Sequence, residues 1–167
     1  MYSQASQKGY QAKEHEETLD DFLDYLGKHS SPEGWVLKIG CRHRHDPGKI
    51  ADLGYKAVCV DPSEKAARKA RNYAEKNGNS AYFVVADMNR LPFREASISA
   101  VYAEGLIQSS NEEGMGRLRE IVRKDGILYA CLETDQAYGK RRRRMEEAIS
   151  LIERHFRAKT TEEKKRK

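Results

Sequence analysis

Trp35-Val36-Leu37-Lys38-Ile39-Gly40 is a short, mostly apolar run that stops at a glycine, and Cys41-Arg42-His43-Arg44-His45 is a polar turn leading into Asp46-Pro47. The first run reads as a strand. Asp46 has the chemistry of an N-cap and Pro47 that of a first helical residue, so the spacing predicts a short helix to Leu53, stopped by Gly54. Tyr55 to Val60 is then a second strand. Asp61-Pro62-Ser63-Glu64 has capping-box form and opens an alanine-rich helix to Asn77, which Gly78 ends. Asp61 thus closes the second strand 21 residues after Gly40. A glycine after one strand and an acid after the next is a nucleotide-binding arrangement. The glycine lets the backbone approach a ligand, and the acid accepts hydrogen bonds from ribose hydroxyls.

Working outward, the same alternation continues. Leu19, Phe22, Leu23 and Leu26 recur at the spacing of one helical face, which predicts a helix over His15 to His29. Ala81 to Ala86 is a third strand, followed by a loop from Asp87 to Glu95. Ser97 to Ala103 is a fourth strand, Asn111 to Arg123 a helix, Gly126 to Leu132 a fifth strand, and Lys140 to Phe156 a last helix. Strands alternating with helices imply a parallel, doubly wound sheet covered on both faces, an α/β three-layer sandwich. Ligands in such sheets sit at the carboxyl ends of the strands, near the switch in strand order. That edge gathers Gly40 to His45, Asp61, Asp87 with Met88, and Ala103 to Leu106.

A chain of 167 residues suits one such domain. Residues 1–14 are expected to be disordered, 15–157 to form the domain, and 158–167 to be a basic disordered tail. The net charge of +5 is unevenly placed: residues 138–167 carry 12 Lys and Arg against 5 Asp and Glu. The rest of the chain is therefore slightly acidic. Lys140-Arg141-Arg142-Arg143-Arg144 is a candidate contact for nucleic acid or a protein partner, or else solvated charge on a helix. No apolar run is long enough to span a membrane, and no secretory signal precedes the domain. Cys41, Cys59 and Cys131 are an odd, sparse set that reads as reduced thiols, and the expected compartment is the cytoplasm. The run Cys41 to Asp46 contains metal-ligand types, but alternate spacing on one tight turn converges poorly and cations flank it, so no metal site is assigned.

The ordered series Val36-Leu37-Lys38-Ile39-Gly40-Cys41, Val58-Cys59-Val60-Asp61, Asp87-Met88-Asn89-Arg90-Leu91-Pro92-Phe93 and Leu118-Arg119-Glu120-Ile121-Val122 resembles the class I S-adenosylmethionine-dependent methyltransferases. It is most similar to the small-molecule group typified by ubiquinone and menaquinone C-methyltransferases. The resemblance implies a Rossmann-like methyltransferase fold with S-adenosylmethionine as cofactor. It implies that Gly40 and Cys41 pass the cofactor, Asp61 holds the ribose hydroxyls, and Asp87 faces the adenine amino group with Met88 beside the ring. Ala103 to Leu106 would line the floor near the reactive methyl, and Glu104 would be the general base or orienting group, or else an exposed carboxylate. Ala103-Glu104-Gly105-Leu106 is not of the Asn-Pro-Pro-Tyr type, and no Pro-Cys pair is present, which disfavours adenine-N6, glutamine and cytosine-C5 methylation.

The family usually has an acid two residues before the first glycine and glycines two and four after it; here those positions are Lys38, Arg42 and Arg44. A Cβ forced into a left-handed turn costs about 1–2 kcal/mol. Three cations would also repel the ammonium and sulfonium of the cofactor. Three outcomes are open: the arginines face solvent and the backbone alone serves the cofactor; the site has lost its cofactor and the fold is a scaffold or regulator; or the loop takes an anion. The family usually continues with a final strand pair, where one basic helix and a polar tail are expected here. The edge strand would then invite a partner chain or be covered by that helix, and an open site would suggest a large substrate, a homodimer or no substrate. The expected function is methyl transfer to a small molecule. The alternative is a catalytically inactive scaffold that binds nucleic acid, an anion or a protein through its basic loop and last helix.

Overall fold

Five strands organise the computed structural model, which describes residues 18–104, 110–131, 150 and 154–156, with Glu104 and Cys131 described by their backbone. They are β1 (Trp35–Ile39), β2 (Lys56–Asp61), β3 (Ala81–Val85), β4 (Ile98–Glu104) and β5 (Val122–Cys131). They form one sheet in the order β3-β2-β1-β4-β5, and every neighbouring pair is parallel. The helices are α1 (residues 18–29), α2 (Asp46–Asp52), α3 (Glu64–Lys76) and α4 (Glu112–Ile121). The expected doubly wound sheet is therefore present, and the strand order reverses between β1 and β4. The expected disordered N-terminus, Gly105 and Leu106, the Arg141 to Arg144 run, most of the last helix and the basic tail lie outside the described residues.

The two faces of the sheet follow from alternation along the strands. Leu37, Ile39, Val58, Val60, Val101 and Ala103 point to one side, where Met115, Leu118 and Ile121 of α4 cover them. Val36, Ala57, Ala100 and Tyr102 point to the other, against Leu19, Phe22 and Leu26 of α1 and Ile50 of α2. Phe22 stacks on Tyr102 with ring centroids 4.9 Å apart. α3 approaches through Ala67, Ala70 and Ala74, all buried. Tyr55 fastens the end of α1 by donating its hydroxyl hydrogen to the carbonyls of Leu26 and Ser30. No described helix is long and apolar enough to cross a membrane.

Three local expectations change. Asp46 does not cap α2: the N-cap position is His45, which makes no side-chain cap hydrogen bond, and Asp46 turns inward instead. The cap of α3 is Ser63, whose hydroxyl accepts from the Ala66 N–H, so Asp61 is released from capping. β5 begins at Val122, directly after α4. Ile98 pairs Val122 while Ala100 pairs Ile127, so Arg123 to Gly126 form a bulge rather than a connecting loop.

Cys41 and Cys59 are buried together with Ala70 and Phe83 behind β2. Burial pushes the Cys59 thiol well above the ordinary range, the neighbouring Cys41 adds to this, and the charge of Lys38 opposes it. Its Sγ–H donates to the Gly40 carbonyl at 3.4 Å. A thiol whose folded pKa is raised contributes fully below the unfolded value of about 8.5 and loses its contribution as pH rises from there towards the folded value. Chemical denaturation from pH 8 to 10 is expected to show wild-type stability falling faster than that of Cys59→Ala. The difference in slope is at most about 1.4 kcal/mol per pH unit, the limit for one proton.

Candidate functional site

At the carboxyl edge of the sheet β1 runs directly into Gly40, whose N–H donates to the Val60 carbonyl at 2.7 Å. Gly40 has φ of +91°, a left-handed conformation that favours glycine. The same step brings Asp61, the last residue of β2, under the turn. One carboxylate oxygen accepts from the Cys41 N–H at 2.8 Å, and the other accepts from the Ser63 N–H at 2.8 Å. The carboxylate is thus held at both ends by backbone, and each oxygen keeps a lone pair for a hydroxyl donor. Ala86 continues from β3 with its N–H on the Asp61 carbonyl, so Asp87 follows along the same edge. Ala103 and Glu104 close β4 on the other side of Gly40, because Ile39 pairs both Val60 and Ala103. The structure therefore brings Gly40, Cys41, Asp61, Asp87, Met88 and the backbone of Glu104 to one edge. The Ala103 side chain is fully buried in the α4-facing core, so only its backbone faces this edge.

The turn after Gly40 solves its lack of glycines locally. Among the described residues, Ala96 alone among non-glycines has positive φ. Arg42 and Arg44 therefore sit in ordinary backbone conformations, and the expected left-handed strain is absent. The expected repulsion also weakens. Lys38, 2% exposed, lies 3.1 Å from Oδ2 of Asp46, which is 0% exposed, so its charge is matched inside the protein. Arg44 places its guanidinium 5.6 Å from the ring centroid of Tyr73. Tyr73 lies nine residues into α3, roughly 14 Å along the axis from Glu64 at 1.5 Å per residue, so this cation points down the outside of the sheet. Arg42 is exposed.

The loop after β3 has a scaffold that sequence reasoning missed. Asp87 Oδ1 accepts from both the backbone N–H and the side-chain amide of Asn89, and the residue is exposed. Asn89 in turn accepts the Asn111 N–H through Oδ1, and Asn111 caps α4 by accepting from Gly114. Arg117 of α4 donates to the carbonyls of Leu91 and Phe93, fixing the Leu91-Pro92-Phe93 segment to the same helix. The signal for this scaffold was Asp-x-Asn and Asn-x-x-Gly, both Asx-type patterns that bond backbone two or three residues on.

Gly114 and Gly116 give a test with opposite signs. A Cβ on Gly114 would stand 2.0 Å from Asn89 Oδ1 and 3.0 Å from its Cα, whereas one on Gly116 meets nothing closer than 3.7 Å. Glycine inside a helix costs roughly 0.5–1 kcal/mol relative to alanine. Gly116→Ala is therefore expected to raise the melting temperature. Gly114→Ala is expected to lower it by an amount equivalent to about 1–3 kcal/mol, because overpacking outweighs the gain in propensity.

The chain matches the family described as methyltransferase domain over residues 36–126, more than half its length and from β1 to the bulge of β5. An uncharacterized methyltransferase of Schizosaccharomyces pombe is 28% identical over 112 residues, covering 64% of this chain and 77% of the yeast protein. A Pyrococcus horikoshii protein of solved structure is 26% identical, with a TM-score of 0.62 over 71% of this chain and 57% of its own. A geranyl diphosphate methyltransferase solved in complex with S-adenosylmethionine shares the fold at 16% identity, with a TM-score of 0.66 over 82% of this chain and 62% of its own. The chain thus spans less than two thirds of these two solved structures. With the sheet order, the Gly40 turn and the acids that end β2 and follow β3 on one edge, these matches make the chain a member of the class I S-adenosylmethionine-dependent methyltransferase family.

Proposed function

We propose that this chain binds S-adenosylmethionine at the carboxyl edge of its sheet and takes part in methyl transfer to a small-molecule acceptor. The observation that carries the reading is Asp61, a carboxylate fixed by the N–H groups of Cys41 and Ser63 beside the left-handed Gly40 turn at the strand-order switch. A fixed acceptor at that position suits a ribose diol, because vicinal hydroxyls donate to a carboxylate without reorganising it. Asp87 Oδ2 and the backbone at Met88 suit an adenine ring, and Gly40 leaves room for close approach. When bound, the cofactor supplies a methyl on a sulfonium with a thioether leaving group. The protein then has to align the acceptor with that methyl and exclude competing water. Glu104, at the end of β4, is the proposed group for orienting an acceptor or removing its proton. The resemblance of the Leu91-Pro92-Phe93 region to small-molecule enzymes supports the choice of acceptor class.

Calorimetric titration with S-adenosylhomocysteine and S-adenosylmethionine tests this. Micromolar binding that is lost in Asp61→Ala is the expected result. Absence of binding at millimolar ligand in the folded wild type overturns it.

A further inference from the structure

The buried ion pair of Lys38 and Asp46 spans the turn at the strand-order switch. Lys38 is the fourth residue of β1, and Asp46 is the first residue of α2. Together they flank the turn from Gly40 to His45, and Nζ to Oδ2 is 3.1 Å. Lys38 pairs in register with Cys59 of β2 and Tyr102 of β4, so its side chain stands on the face of the sheet that carries Tyr102. Its ammonium sits 4.7 Å from the Tyr102 ring centroid. His45 Nε2 stands 3.5 Å from the other carboxylate oxygen of Asp46, which ties the last residue of the turn to the same pair.

Glycine-rich turns take their path from left-handed dihedrals. This turn has one such residue, Gly40, and ordinary dihedrals at Arg42 and Arg44. Something else must fix where the backbone goes after Cys41, whose N–H reaches Asp61. We infer that Lys38 and Asp46 are positioning residues for cofactor binding: their buried contact clamps the two ends of the arginine-bearing turn and so holds the Cys41 N–H on the Asp61 carboxylate. The inference rests on the proposed cofactor reading and adds to it the device by which a turn poor in glycine keeps a binding shape. Direction matters as well as strength. A strut between the penultimate residue of a strand and the first residue of a helix sets the length of the span, which an apolar pair of similar volume does not.

The test is the pair of variants Lys38→Met and Lys38→Met/Asp46→Leu, compared with the wild-type chain. Replacing both charges by apolar groups removes the uncompensated buried charge, so the double variant is expected to melt well above the single one. If the pair positions the turn, the double variant still binds S-adenosylhomocysteine at least tenfold more weakly than wild type. Its amides 41–45 also exchange with deuterium at least tenfold faster, while those of β1 and β2 keep wild-type protection. Recovery of both melting temperature and affinity to wild-type values overturns the inference, since the pair would then be packing alone. Should the double variant fail to melt cooperatively, Asp46→Asn, which keeps the shape of the side chain, is measured in the same two assays. If wild type itself fails to bind, the cofactor reading falls. Exchange at amides 41–45 then decides the strut alone: unchanged rates in the folded variant overturn it, and faster rates support it.

Discussion

Lys38→Met is expected to lower the stability of the folded chain by about 3–5 kcal/mol, the usual cost of removing one partner from a buried ion pair. For a domain of this size, that is a fall in melting temperature on the order of 10 °C, since each kcal/mol is worth about 2–4 °C. Methionine keeps most of the apolar stem, so the core against Tyr102 and Cys59 stays filled. What is lost is the positive charge opposite Asp46, whose carboxylate is 0% exposed. His45 lies 3.5 Å from it and is partly exposed. Exposed pairs behave differently. Lys28 and Asp24 meet at 2.6 Å but are both largely solvated, and Lys28→Met is expected to cost under about 1 kcal/mol. Thermal melts of the two variants side by side decide the matter. A loss for Lys38→Met no larger than that for Lys28→Met would mean that the buried charges are solvated after all.

That contrast also shows what a linear reading of the chain reaches. The order of elements was legible because hydrophobic period and turn residues are local: apolar runs at β1 and β2, the stripe of α1, and glycines at the ends of α2 and α3. Gly40 and Asp61 were legible because their spacing is set by one strand-helix-strand unit. Lys38 was not legible in the same way. Taken alone, it is a cation where the family keeps an acid, and its sign argues against a cationic ligand. Asp46 read as a cap because its type and its neighbour Pro47 fit one. Only the fold shows that the two are partners, eight residues apart and on opposite sides of a turn. The same holds for Asn89 and Gly114, whose contact depends on how α4 crosses the loop after β3. Pairings across a turn depend on backbone path, which residue type does not encode position by position.

Asp61→Ala is expected to weaken S-adenosylhomocysteine at least about 100-fold. Hydrogen bonds to a charged group contribute about 1.5–3 kcal/mol each, and two ribose hydroxyls would lose their acceptor together. The substitution also leaves the N–H groups of Cys41 and Ser63 without their partner. Part of the loss is therefore a looser turn rather than a missing ligand contact. Asp61→Asn separates the two. It keeps the volume and one acceptor oxygen, but its amide nitrogen faces either the Cys41 N–H or the Ser63 N–H, donor against donor. If ligand contact dominates, Asn and Ala weaken binding by similar factors, because neither presents a charged acceptor to both hydroxyls. If holding the turn dominates, Asn keeps the one N–H contact that its oxygen still accepts, and its affinity falls between wild type and Ala. Asp87→Asn gives a scale for comparison: it leaves an acceptor oxygen for Asn89 and is expected to cost only about tenfold, one charge-assisted hydrogen bond at the exposed, proposed adenine contact. An Asp61→Ala loss smaller than that of Asp87→Asn would move the ligand away from the strand-order switch and towards the loop after β3.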